Sequence, residues 1–189
     1  MQIRLFQKHI FNYDSRLRLL AMFGLHNRQR YGVALERVQL SRLINISNYR
    51  LFYEQLTTEP FYGIGASSDK EDKTTYTREF FGADITLGSN VFRFASLQFF
   101  AGFHLNNILD GKSSDHPSTT DVYLPEELPG LGEKIDLVKY EISLASDSRN
   151  RPGNPTSGIQ SEFSVGYYQQ TNAATYKFMK FLGDLRYYL

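Results

Sequence analysis

From Phe92 to Leu105 the chain alternates with a period of two. Ala95, Leu97, Phe99, Ala101, Phe103 and Leu105 fall on one face, and Ser96, Gln98, Gly102 and His104 on the other. Successive side chains of a strand point to opposite faces, so this pattern is a β-strand with one apolar side. Strands of soluble sheets commonly end after ~5–6 residues. This one is long enough, at ~3.3 Å per residue and tilted, to cross the hydrocarbon core of a bilayer. A chain built around it must cover an apolar sheet face with a second protein layer or with lipid.

Other segments repeat the pattern. Leu17, Leu19, Ala21, Phe23 and Leu25 oppose Arg16, Arg18 and Gly24, and Phe81, Ala83, Ile85 and Leu87 oppose Gly82, Asp84 and Thr86. Further on, Val138, Tyr140, Ile142 and Leu144 oppose Lys139, Glu141 and Ser143. Phe163, Val165 and Tyr167 oppose Glu162, Ser164 and Gly166. Met179, Phe181, Leu185 and Tyr187 oppose Lys180, Asp184 and Arg186. The stretch 27–46 reads either as strand or as helix, since Val33 to Leu43 suits both. No fixed-period repeat, low-complexity tract or linker interrupts the chain. The expectation is an all-β, antiparallel fold of about eight or nine meandering strands in a single segment, 1–189. Alternation alone fits a soluble β-sandwich as well as a transmembrane β-barrel.

The connections favour the barrel. Gly88-Ser-Asn90 predicts a tight turn, whereas Thr57 to Thr74 and Leu109 to Glu133 predict long polar connections. Such long connections are unusual in compact soluble domains, but outer-membrane barrels alternate short turns with long external loops. Ser148 to Ser157 reads as a compact turn, and the short Thr171-Asn-Ala-Ala174 fits the alternation poorly.

Composition narrows the function classes. The 21 basic and 20 acidic residues are intermixed, so no basic field exists for a nucleic-acid backbone. Cysteine is absent, which excludes disulfide scaffolds and thiolate metal sites. The chain holds 13 Tyr and 15 Phe without Trp, a richness that fits a large core or the interfacial girdles of a barrel. His9, His26, His104 and His116 lack metal-ligand spacing, and Asp69, Glu71 and Asp72 lack the spacing of a calcium loop. Gly63-Ile-Gly-Ala-Ser67 is no nucleophile elbow. His104, placed inward with Gln98 and Asn106, is a poor candidate for catalysis. No enzyme, cofactor or metal is expected.

Three motifs in order resemble the surface-antigen barrel of BamA/TamA-type outer-membrane proteins. The first is Phe61-Tyr62-Gly63-Ile64-Gly65, followed by the polar Asp69 to Tyr76. The second is the turn Asp147-Ser-Arg149-Asn-Arg-Pro152-Gly-Asn-Pro155-Thr156-Ser-Gly158, and the third is Tyr176 to Leu189. The likeness runs from about Arg16 to the C-terminus. The residue chemistry of these motifs is structural. Gly63 and Gly65 can take backbone angles closed to other residues or allow close backbone approach. Pro152 and Pro155 fix φ and stop strand pairing. Asp147 and Arg149 are near enough for a charge-assisted hydrogen bond, and Gly158 can restart a strand without a side-chain clash. Tyr62, Gly63, Gly65, Asp147, Arg149, Pro155, Thr156 and Gly158 either shape turns only or also form a protein contact.

The resemblance implies a bacterial outer-membrane location, a lipid bilayer as partner, and a role in inserting or translocating client outer-membrane proteins. The sequence departs from the family pattern in lacking a periplasmic (POTRA-like) domain and an Arg-Gly-Phe/Tyr loop motif. Its strands are also fewer than the family's roughly sixteen. Both ends read as cut, because Met1 to Ile10 is no export signal and Leu185 to Leu189 still reads as strand. The expectation is therefore the first part of a barrel, with the rest missing from this chain. A small passive pore or anchor, and a soluble β-sandwich binding module, are the alternatives.

Overall fold

The structure, a computed structural model, describes all residues except Ser67, Pro129, Pro152, Ala173, Ala174 and Thr175, and all side chains of its elements except that of His26. It is all-β. Strands β1 (Gln2–Lys8), β2 (Arg16–Phe23), β3 (Gln29–Glu36), β4 (Ile46–Phe61) and β5 (Thr74–Phe92) are followed by β6 (Ala95–Asp110), β7 (Lys134–Asp147), β8 (Gly158–Gln170) and β9 (Lys177–Tyr188). The only helical pieces among the described residues are a 3-10 turn at Leu25–Asn27 and a helical turn, α1, at Thr119–Val122. The nine strands form one open sheet in sequence order, each antiparallel to the next.

The stretch left open between strand and helix is β3 followed by an irregular connection, 37–45. A helix there would leave β2 and β4 without the partner that both hydrogen-bond. Two expectations about connections are corrected. Gly88-Ser-Asn90 is strand, paired with Gln98, Leu97 and Ser96, and the turn falls at Arg93 and Phe94. Gly88 serves close packing there: a Cβ on it would lie 2.8 Å from the Leu97 carbonyl oxygen. The predicted connection from Thr57 is also shorter than expected, because β4 continues to Phe61 through an irregularity between Leu56 and Glu59.

The meander sends alternate connections to opposite ends. Turns 9–15, 37–45, 93–94 and 148–157 lie at one end, and loops 24–28, 62–73, 111–133 and 171–176 at the other. Loop 111–133 folds back onto the tip of the β4–β5 hairpin. Thr75 N–H donates to the Pro117 carbonyl at 2.9 Å, Lys112 N–H to that of Thr57 at 3.0 Å, and the Thr74 and Thr119 hydroxyls share a bond of 2.9 Å. These threonines are buried, as is Thr77, and the hydroxyls of Thr74, Thr75, Thr77 and Thr119 are bonded, so the longest loop is held by a bonded polar cluster.

The sheet has no apolar core of its own. Among the described residues the buried apolar side chains are Val38, Leu128 and Leu131, all in connections. The accessible surface is 12697 Å². A compact monomer of this mass exposes about 9,300 Å². A single open sheet leaves both of its faces uncovered, which accounts for the larger surface.

Candidate functional site: two opposed faces and the motif turns

Directly paired residues of neighbouring strands share a face, so rows can be followed across the sheet. One row runs Leu17, Leu35, Tyr49, Ile85, Ala101, Tyr140, Tyr167, Met179, from β2 to β9. It holds no charged or amide side chain. The next row runs Leu5, Leu19, Val33, Leu51, Ala83, Phe103, Val138 before reaching Gln169 and Lys177. Many of these side chains are open, with Leu5 60% and Met179 57% exposed. Toward the loop end the rows change character. Tyr31 and Tyr53 stack with centroids 6.2 Å apart, and beyond them lie Gln29, Gln55, Glu79 and Asn107 in register. Gln55 Nε2 donates to Glu79 Oε1 at 3.0 Å and Asn107 Nδ2 to Glu79 Oε2 at 3.3 Å. The apolar band thus ends in a tyrosine level and then a hydrogen-bonded amide level.

The opposite face is charged. Its central row is Phe6, Arg18, Ala34, Arg50, Asp84, Gly102, Lys139, Tyr168, Phe178. Several of its ions are paired: Arg18 with Glu36, Arg30 with Glu54, and Lys139 with Glu141 at 3.2 Å. Asp84 is the best-buried carboxylate. Arg50 Nε donates to its Oδ2 at 2.9 Å, and His104 Nε2 lies 2.8 Å from its Oδ1. The His104 ring also meets Phe80 and Phe52, and the Arg50 and Arg78 guanidiniums lie over Phe52 and Phe80. Removing the carboxylate, in Asp84→Ala, leaves both partners without their acceptor. The expected loss is about 1.5–3 kcal/mol of unfolding free energy, nearer the lower figure because Arg50 remains more than half exposed to water. Urea titration of the folded chain measures it, and a change within error would deny the pair any structural weight.

Glycines make room for rings on this face. A Cβ on Gly82 would lie 2.3 Å from Cζ of Phe52, and one on Gly102 would lie 2.9 Å from the Phe100 ring. On Gly166 it would lie 3.1 Å from the Tyr168 ring. The rings therefore lie along the wall over glycines instead of stacking up into a core.

The motif residues occupy two separate places. Tyr62, Gly63 and Gly65 begin the β4–β5 loop, both glycines at φ 92°. Gly63 sits beneath the returning loop, where its Cβ would be 3.4 Å from Tyr123 Oη, whereas Gly65 faces open space. The second place is the β7–β8 turn at the other end. Arg149 donates to Asp147 through Nε at 2.8 Å, Nη2 at 2.6 Å and its backbone N–H at 3.1 Å. Asp147 lies beyond the apolar rows, and the Arg149 hydrogen bonds hold its carboxyl down at about 2. A depressed carboxyl contributes its full effect above the ordinary value of ~3.9 and loses it as pH falls through the folded value. The clamp therefore survives mild acid. Asn150 closes the turn, accepting from Thr156 N–H at 3.1 Å and donating to Thr156 Oγ1 at 2.8 Å. Pro155 lies inside this loop, and Pro152 falls outside the described residues. Gly158 opens β8 at φ 117°, where a Cβ would be 2.6 Å from the Ser148 carbonyl oxygen.

The sequence singles out His104 as inward-facing, but not its grouping with Arg50 and Asp84. Its members are 34 and 20 positions apart and meet only through strand register. Among the described residues no group of three His, Asp or Glu is placed to hold a metal ion. Among the described residues no helix is long and apolar enough to cross a membrane, which says nothing of crossing by strands. No protein-family model and no curated protein matches this sequence.

Proposed function

We propose that the chain is a wall segment of a bacterial outer-membrane β-barrel of the surface-antigen type, its apolar face set in lipid and its charged face lining a wet interior. The carrying observation is the apolar face that runs from β2 to β9, covered by no second layer among the described residues and bounded toward the loop end by tyrosine and then amide levels. In a bilayer that face is satisfied and the strand order needs no second sheet. Ala95 to Leu105 rises roughly 33 Å along the strand, or ~25 Å along the normal at a tilt of about 40°, the height of a barrel's apolar band. On the other face the ion pairs and bonded carboxylates suit water.

The motif order supports a role in assembling or translocating client outer-membrane proteins, with the bilayer and those clients as partners. We read the chain as scaffold and not as enzyme, with no nucleic-acid partner. A passive pore would use the same two faces; the motif order favours the assembly reading. The sequence contains no tryptophan, so single reporters are clean. Phe99→Trp, on the apolar face, is expected to be quenched by lipids brominated on their acyl chains, and Phe100→Trp, on the charged face, to be spared. Equal quenching at both positions, or a chain that is monodisperse without detergent or lipid, overturns the proposal in favour of a soluble sheet protein.

A further inference from the structure

The two ends of the sheet differ in charge. The turns carry Arg37, Arg42, Arg93, Arg149 and Arg151 against one carboxylate, Asp14. At the other end, loop 111–133 carries Asp115, Asp121, Glu126, Glu127 and Glu133 against Lys112. The turns also form one continuous surface. Asn12 bridges the first two, donating to the Arg37 carbonyl and accepting from Gln39 N–H, each at 3.3 Å. Asn90 N–H donates to Asn45 Oδ1 at 3.1 Å, and Asp147 N–H to the Phe94 carbonyl at 2.8 Å.

Large apolar side chains stand among these guanidiniums. Phe11 is 69% exposed, Leu43 81%, Phe92 76% and Phe94 51%, and the Arg93 guanidinium lies 5.0 Å from the Phe94 ring centroid. At the margin of an apolar band, rings and aliphatic chains enter the acyl boundary while guanidiniums fork onto phosphate oxygens. The surface has the chemistry of one partner.

We infer that the turn end of the sheet docks on anionic phospholipid headgroups: Arg42, Arg93 and Arg151 bind lipid phosphates while Phe11, Leu43, Phe92 and Phe94 enter the acyl boundary. The inference rests on the apolar face being set in lipid. Attraction of each cation to an anionic leaflet is salt-sensitive, and several cations together give the sheet a preferred direction in the membrane, turn end to the phospholipid side.

The test uses two single-tryptophan forms of the chain, Phe94→Trp at the turn and Phe99→Trp in the band. Each is inserted into phosphatidylcholine vesicles with or without phosphatidylglycerol. The Phe94→Trp emission is expected to shift to the blue and to be quenched by lipids brominated near the headgroup in the anionic vesicles more than in the neutral ones. That difference is expected to vanish at high salt and in the Arg42→Gln, Arg93→Gln, Arg151→Gln variant, while Phe99→Trp stays quenched throughout. Phe94→Trp quenching that ignores both phosphatidylglycerol and salt, with Phe99→Trp still quenched, overturns the docking surface alone. An unquenched Phe99→Trp overturns the membrane reading beneath it. If the triple variant does not insert, the salt dependence of the parent form decides the matter.

Discussion

Ile142→Arg is expected to cost about 2–4 kcal/mol of stability in a bilayer, while Ser143→Arg, one residue on, stays within about 0.5 kcal/mol of the parent. Ile142 pairs with Phe99 and Val165 in the middle of the apolar face and is 58% exposed, so the new guanidinium would stand in hydrocarbon. Ser143 pairs with Gln98 and Ser164 on the charged face, where a long side chain can extend into water. Urea unfolding in lipid vesicles measures both. Equal costs at the two positions would mean that neither face meets lipid.

Gly158→Val is expected to cost about 3 kcal/mol or more and to melt the β7–β8 turn. Two effects add. At φ 117° a β-branched residue is strained by about 1–3 kcal/mol. Its Cβ would also fall 2.6 Å from the Ser148 oxygen and 2.8 Å from Arg149 Cα, both backbone atoms that cannot swing aside. The turn must then open, and with it the Arg149–Asp147 clamp and the approach of Arg149 to the Tyr188 ring. Gly153 lies in the same turn with nothing within 4 Å of its Cβ position, so Gly153→Ala is the neutral comparison. Proteolysis between 148 and 157 reads turn opening directly; a valine variant as resistant as the alanine one would refute the steric argument.

The alternation of Phe99, Ala101 and Phe103 against Gly102 and His104 was legible because period two states the face of each residue without reference to neighbours. The same held for the Asp147–Arg149 contact, which spans two residues. The β5–β6 turn was not legible. Gly88-Ser-Asn90 has turn chemistry, and Arg93-Phe94 has none, yet pairing of a long hairpin outweighs local preference. Strand β1 gave little signal because Phe6 falls on the charged face and Gln7 on the apolar one. The grouping of Arg50, Asp84 and His104 depends on a register set by the whole hairpin ladder, so no window of sequence contains it. The candidate site was therefore readable as faces and turns, and unreadable wherever it joined distant strands.

The rings seated over Gly82, Gly102 and Gly166 also set an order on sequence drift. A methyl group cannot appear at Gly82 while Phe52 keeps its place, but Phe52 can shrink first and leave only a gap. In any diverging lineage the ring should thus be lost before its glycine, and an alanine at 82 beside a phenylalanine at 52 should be the rarest of the four combinations.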